Sequence, residues 1–289
     1  MFEKHLEEIK DYGQVAKNIR KNLKDYVVKN KLKSLVLGIS GGIDSTATAM
    51  LARPVCDELK IPLIGRSLPI ETNMTNEIKI ADEIGHGLCT DFKEIDMGLL
   101  YDEMVKFIIG ELKDPTNLEK LRCANFKVRL RMIKLYDIAQ ATGGMVLSTD
   151  NFTEFLTGFF TKHGDVGDYG MIQNLWKMEV YTLVNFLLKH DDFYITKIDD
   201  YVTRRNDLKF HINKSAEATP TDGLGISRSD VEQLGVPDYA TADRLFKEYF
   251  AGDMPTLEVD DHPIIKRYFA TDHKRNDPYN ITRQQLLKP

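Results

Sequence analysis

The chain has 289 residues, 42% hydrophobic and 29% charged; that is ordinary globular composition with ample material for a core, which excludes disordered and fibrous classes. Lys plus Arg number 39 against 44 Asp plus Glu, a net charge of −5, so no chain-wide basic field marks a nucleic-acid binder. The opening MFEKHLEEIK is charged where a secretory leader is apolar, and no run reaches the ~18 apolar residues of a membrane span, so a cytoplasmic protein without membrane contact is expected.

Ile9, Tyr12, Ala16, Ile19, Leu23 and Val27 recur at helical spacing and predict a first amphipathic helix, weakened by Gly13. Leu35 to Leu37 predicts a buried strand that stops in GISGGIDS, and the following TATAMLA is good helix material. Residues 61–69, 92–97 and 145–150 predict further strands. Between them, TNEIKIADEIG predicts a helix that Gly85 would end. Residues 118–141 carry Leu121, Ala124, Val128, Met132, Leu135 and Ile138 at helical spacing and stop at Gly143-Gly144. Alternating strands and helices predict an α/β fold, a doubly wound parallel sheet with helices on both faces. Farther on, a helix is predicted over 178–189, residues 195–230 lack periodicity and are expected to be an insertion or mobile loop, and TADRLFKEYFA and HPIIKRYFATDHK predict two closing helices. No repeat or linker divides the chain, so residues 1–289 are expected to be one domain. Cys56, Cys89 and Cys123 are odd in number and lack a CxxC pair, which argues for packing rather than a disulfide framework or zinc site.

A glycine turn between a strand and a helix gathers unpaired N–H groups at the positive helix end, a ready anion site whose usual occupant is phosphate. Three chemistries compete for it. A Walker-type loop requires Gly-Lys, and the chain contains no such pair. The G-x-S-x-G nucleophile elbow of serine hydrolases is matched by Gly38, Ser40 and Gly42. That elbow, however, follows several strands and takes an oxyanion donor from an earlier loop, whereas one strand precedes Ser40. The S-G-G-x-D-S signature of the ATP pyrophosphatases is matched at every position from Ser40 to Ser45. In that reading the Ser40 and Ser45 hydroxyls and bare N–H groups wrap the β- and γ-phosphates of ATP, and Asp44 holds magnesium. A turn kept only for packing is the remaining alternative.

A second stretch, STDNFTEFLTGFFTKHGDVGDYG (148–170), resembles the ammonia-dependent NAD synthetases, and NFKVRLRM (125–132), PTDG (220–223) and DHKR (272–275) follow that family's order. The likeness runs from about residue 20 to the end. It implies an adenine nucleotide alpha hydrolase-like fold and an enzyme that adenylates deamido-NAD with ATP, then lets ammonia displace AMP. Carried over by position, it implies that Gly38, Ile39, Ser40, Gly41, Gly42, Ile43, Asp44 and Ser45, with Thr149, Lys177 and Thr221, bind ATP. Asp44 and Glu154 are implied as Mg2+ ligands, and Arg129, Lys162, Asp168, His273 and Lys274 as holding deamido-NAD. Asp44 and Lys177 are the implied catalytic residues, Lys177 offsetting charge on the departing phosphates. The cations suit a ligand that bears a pyrophosphate and a free carboxylate.

The resemblance further implies a homodimer whose interface runs beside deamido-NAD; the 118–141 helix, which bears apolar positions and Arg129, is the expected interface helix, with Met132 either on its outer face or turned to its own core. Free ammonia is the expected nitrogen source, because the segment ahead of the loop is too short for a glutaminase domain. Without the resemblance, Arg129 and Arg131 read as a solvated helix face, Glu154 as a complement to a helix dipole, and Phe159 and Phe160 as core. The chain departs from the family pattern in two places. Residues 200–213 lengthen a region that is short in most relatives, and the spacing after HGDVG is one residue short, which bears on Asp168 and Lys177. The alternatives are another pyrophosphate-loop enzyme that adenylates a tRNA base or nucleotide, and an ATP-binding regulator without turnover. A tRNA modifier would want a basic surface and paired cysteines, and the sequence has neither.

Overall fold

In the computed structural model, described over residues 2–70, 75–110, 116–196, 202–217, 229–252, 262–276 and 283, five parallel strands are found among the described residues. They are β1 (Leu35–Gly38), β2 (Leu63–Ser67), β3 (Asp91–Glu94), β4 (Met145–Ser148) and β5 (Tyr169–Gly170), in the order β3-β2-β1-β4-β5. Leu35 is level with Leu63 on one side and Met145 on the other. Alternation along the strands sends Leu35, Leu37, Leu63, Met145 and Leu147 to one face and Val36, Ile64 and Val146 to the other. At β1, β2 and β4 both faces are buried, as the centre of a parallel sheet requires, while the edge strands β3 and β5 are partly exposed.

Helices α1 (Tyr12–Asn30), α2 (Ile43–Leu59), α3 (Thr75–Leu88) and α7 (Lys177–His190) cover the first face, and α4 (Gly98–Ile108) and α5 (Asn117–Thr142) the second. Gly13 is tolerated in the first turn of α1, where the Asp11 carboxylate accepts the Gln14 N–H at 2.9 Å. A reciprocal cap between Thr116 and Glu119 opens α5, and Gly143, in the left-handed region at φ 64°, closes it. A third apolar cluster lies beyond the sheet. It joins α6 (Phe152–Thr157) and Trp176 to α10 (Asp230–Leu234), α11 (Tyr239–Ala251) and α12 (Pro263–Ala270). The longer α9 (Val202–Glu217), the short helices α8 (Asp192–Thr196) and α13 (Asp272–Arg275) and a 3-10 turn at Glu3–Leu6 make up the rest of the described helices.

Two sequence expectations are corrected, and the orientation of Met132 is decided between its two alternatives. Gly85 does not end its helix, which continues to Leu88; a Cβ there would sit 2.1 Å from the Phe92 ring, so glycine admits the close approach of β3. Within 195–230, residues 202–217 form α9 rather than a loop. Leu208, Ile212 and Ser215 are buried along one side of it, and the charges between apolar positions blur the helical period in the sequence. Met132 faces its own core, packed with Leu130 and Leu135, while Ile133 is 62% exposed.

Candidate active site

Parallel strands place the loops that follow them at one sheet end. The strand order turns between β1 and β4, where ligands of such sheets collect. There a cleft of about 420 Å³ opens, lined by Gly38 to Ser45 after β1, Leu68 and Pro69 after β2, and Thr149 and Asp150 after β4. Gly41 sits at φ 85°, and a Cβ on it would meet the Glu77 carbonyl oxygen of α3 at 2.8 Å, so only glycine lets α3 press on the loop. Ser40 Oγ accepts the Gly42 N–H at 3.2 Å and lies 3.2 Å from Ser45 Oγ, which donates to the Gly42 carbonyl at 3.0 Å. The loop therefore closes on its own hydroxyls at the head of α2. Ser40 Oγ is engaged by the Gly42 N–H and Ser45 Oγ, and among the described residues no histidine lines the cleft beside it.

Three predicted residues meet beside the loop. Lys177 Nζ donates to Asp44 Oδ2 at 2.5 Å and to Glu154 Oε1 at 3.1 Å, and Asn151 Nδ2 donates to Asp44 Oδ1 at 2.9 Å. Asn151 also caps α6, accepting the Glu154 N–H, which fixes Glu154 in the first helical turn. Burial alone would lower the Lys177 ammonium, but Asp44 and Glu154 reverse it and hold it well above its ordinary value. Burial raises the Glu154 carboxyl; Lys177 opposes that rise while Asp44 and Asp230 add to it. The donor set suits magnesium. Two hard carboxylates share one ammonium near the third charge of Asp230, and no group of three ligands stands ready among the described residues. Magnesium favours such partial sites, completed by phosphate oxygens and water.

The other end of the cleft is basic. Lys274 lines it, its ammonium donating to the Gly158 carbonyl at 2.7 Å and the Phe160 carbonyl at 2.6 Å. Burial pulls Lys274 below its ordinary value, reinforced by Arg267, Arg129 and Lys162 and opposed by Asp165. Arg129 is exposed, donates to the Lys162 carbonyl at 3.1 Å and does not line the cleft. Its neighbour Arg131, which the charge-rich helix disguised as a solvated position, does line it and donates to the Leu68 carbonyl at 2.8 Å. Asp168 is elsewhere: it accepts the Tyr136 hydroxyl at 2.8 Å and the Val146 N–H at 2.9 Å, bracing β4. The aspartate of this stretch that lines the cleft is Asp165, whose carboxylate accepts the Thr161 N–H at 2.8 Å and is pushed up to about 7 by burial. His273 is exposed on α13, outside the cleft lining. Thr221 and the rest of PTDG lie outside the described residues. Asp165 and Arg267 also line the cleft and were not among the residues expected from the sequence; the short spacing after HGDVG was the one cue to the first, and Arg267 carried none.

The NAD synthase family model matches residues 15–278. The NH(3)-dependent NAD(+) synthetase of Thermoplasma acidophilum is 30% identical over 275 residues, covering 94% of this chain and 99% of its own. That of Pyrococcus horikoshii is 35% identical, covering 96% and 98%. Among solved structures, NMN synthetase from Francisella tularensis superposes with a TM-score of 0.72 at 23% identity, covering 96% of this chain and 98% of that one. NAD+ synthetase from Burkholderia pseudomallei gives 0.64 at 24%, covering 95% and 93%. The fold is thus the adenine nucleotide alpha hydrolase-like α/β fold, and with its pyrophosphate loop and acidic lysine clasp set at the sheet's switch point the chain belongs to the NAD synthase family.

Proposed function

We propose that the chain converts deamido-NAD to NAD, using ATP and ammonia, within this one cleft. A substrate carboxylate oxygen attacks the α-phosphorus, the bond to the β-phosphate oxygen breaks, and pyrophosphate leaves. Ammonia then attacks the activated acyl carbon, gives up a proton, and AMP departs with the carboxylate oxygen. The observation that carries this reading is the clasp of Lys177 by Asp44 and Glu154 beside the Ser-Gly-Gly loop. The loop N–H groups and the Ser40 and Ser45 hydroxyls orient the β- and γ-phosphates, and Lys177 offsets the charge that grows on them in departure. Magnesium, held by Asp44 and Glu154 with phosphate oxygens, would supply neutralisation of the triphosphate. Arg131, Arg267 and Lys274 would bind the anionic dinucleotide at the opposite end.

Free ammonia is the proposed nitrogen source. Burial pushes the Cys56 and Cys89 thiols up to about 12, so neither serves as the thiolate an amidase would use. A homodimer is the proposed active form. Phe107 and Leu99 on α4 are 91% and 87% exposed, and Leu118 and Ile133 on α5 are exposed as well, large apolar side chains that a partner subunit would cover. No described helix is long and apolar enough to cross a membrane, and a cytoplasmic location belongs to the same proposal. The test is deamido-NAD labelled with oxygen-18 in its carboxylate, incubated with ATP, magnesium and an ammonium salt. The expected products are NAD, pyrophosphate and AMP carrying one labelled oxygen. ADP and phosphate, or unlabelled AMP, would overturn the reading.

A further inference from the structure

Lys177 must stay charged and aimed although almost no water reaches it, its side chain being 2% exposed. Such an ammonium is held by what surrounds it. Two holders are the carboxylates of Asp44 and Glu154, and the third comes from beyond the nucleotide sheet. The centroid of the Tyr239 ring lies 4.8 Å from Lys177 Nζ, within cation–π range. Tyr239 opens α11, which Asp238 caps by accepting the Thr241 N–H at 2.7 Å, and its hydroxyl donates to Asp230 Oδ2 at 3.1 Å. One turn along α11, Asp243 accepts the Met178 N–H at 2.9 Å and the Thr153 hydroxyl, while Thr153 Oγ1 accepts the N–H of Lys177 itself at 3.0 Å. Helix α11 therefore grips the head of α7 by its backbone and turns an aromatic face to the lysine.

We propose that Tyr239 is a positioning residue for Lys177, its ring face keeping the ammonium aimed at the phosphate end of the cleft. This rests on the reading that Lys177 serves the departing pyrophosphate. Once triphosphate and its counter-cation enter, Asp44 and Glu154 are shared with them and hold the ammonium less tightly. The Tyr239 ring, tied at its hydroxyl to Asp230, is not shared in this way, because its attraction comes from the quadrupole of the face.

The test varies the electrons of the ring while preserving its shape. Tyr239→Phe is compared with phenylalanines bearing one, two and three ring fluorines at the same position, with Tyr239→Leu as the end point. Tyr239→Phe is expected to keep kcat within about threefold. Each added fluorine should lower kcat further, reaching about tenfold below the Phe variant, while KM for ATP moves less than about threefold, because the lost contact acts on the transition state. A flat kcat across the series overturns the proposal. So does a fall in kcat and rise in KM that merely track melting temperature, the mark of a core-filling role. Wild type run in parallel separates the two levels: absence of AMP and pyrophosphate defeats the proposed reaction, whereas normal wild-type turnover with a flat series defeats only the role of Tyr239.

Discussion

Helix α2 carries the phosphate loop at its head and a proline in its interior, Pro54, which has no N–H to return to the Met50 carbonyl. That carbonyl is not abandoned. The Tyr194 hydroxyl donates to it at 2.6 Å and Arg20 Nη2 at 3.5 Å, with Arg20 fixed by Asp191 at 2.6 Å. Tyr194 is 1% exposed, and burial raises its phenol far enough that it remains a donor at every working pH. Tyr194→Phe keeps the ring and removes the shorter of the two bonds, leaving the buried carbonyl only the long Arg20 contact, which costs about 1–2 kcal/mol. Urea denaturation should show this as a lower midpoint at unchanged slope. The cause is checked by the second substitution, Pro54→Ala, which restores an N–H to face Met50. In that background the cost of Tyr194→Phe should shrink by about 1 kcal/mol, a coupling within reach of a double-mutant cycle. Equal cost in both backgrounds would refute the assignment, as would a Tyr194→Phe protein as stable as wild type.

Lys177→Met should lower kcat by about 10²–10³-fold, and near-normal turnover would remove Lys177 from the chemistry. Asp165 has its carboxyl raised by burial from 3.8 to about 7, so the folded state holds that proton more tightly than the unfolded chain. Its contribution to stability is therefore full below the unfolded value, is lost as pH rises through this window and is constant above it. Asp165→Asn cannot ionise, and its stability relative to wild type should climb between pH 4 and pH 7 in urea titrations; a pH-independent difference would contradict the burial argument. Ile133→Glu should shift the protein to monomer in sedimentation while leaving its melting temperature nearly unchanged, because Ile133 is exposed on the subunit. A wild type that sediments as a monomer at full activity would remove the dimer altogether.

The parts of this molecule legible in the sequence are those whose physics is local. Leu35 to Ser45 announces a strand, a bare turn and a helix head within eleven residues, and the structure sets all three at the sheet's switch point. Asp44, Glu154 and Lys177 were nameable through family resemblance, but their mutual clasp joins positions far apart in sequence and had no local sign. Arg129 and Arg131 show the limit most plainly. They lie two apart on one helix, so they point in different directions, and only the register of α5 on the sheet decides that Arg131 enters the cleft and Arg129 does not. Helix α9 was hidden for a related reason: charges interrupt its apolar positions in the sequence, and it is held by packing on α2 and α3, where Ser215 Oγ lies 3.1 Å from Thr46 Oγ1.

Topology also explains why Lys177, in its proposed role, is supported from outside the sheet. A parallel sheet supplies backbone N–H groups at its switch point and so can hold phosphates, but its loops end there, and a charge that must face those phosphates needs a separate mount. Lys177 has that mount at the head of α7, where Trp176 and Thr153 tie it to the third apolar cluster and Asp243 of α11 fixes the first turn. The Ser-Gly-Gly loop and Lys177, proposed to hold the phosphates and to offset their charge, therefore belong to different packed layers. A disturbance of α10 or α11 should alter turnover before it alters nucleotide affinity, while a disturbance of the loop glycines should do the reverse. Where α11 carries no such influence, in a variant with its packing loosened but kcat intact, the separation of the two layers would have to be abandoned.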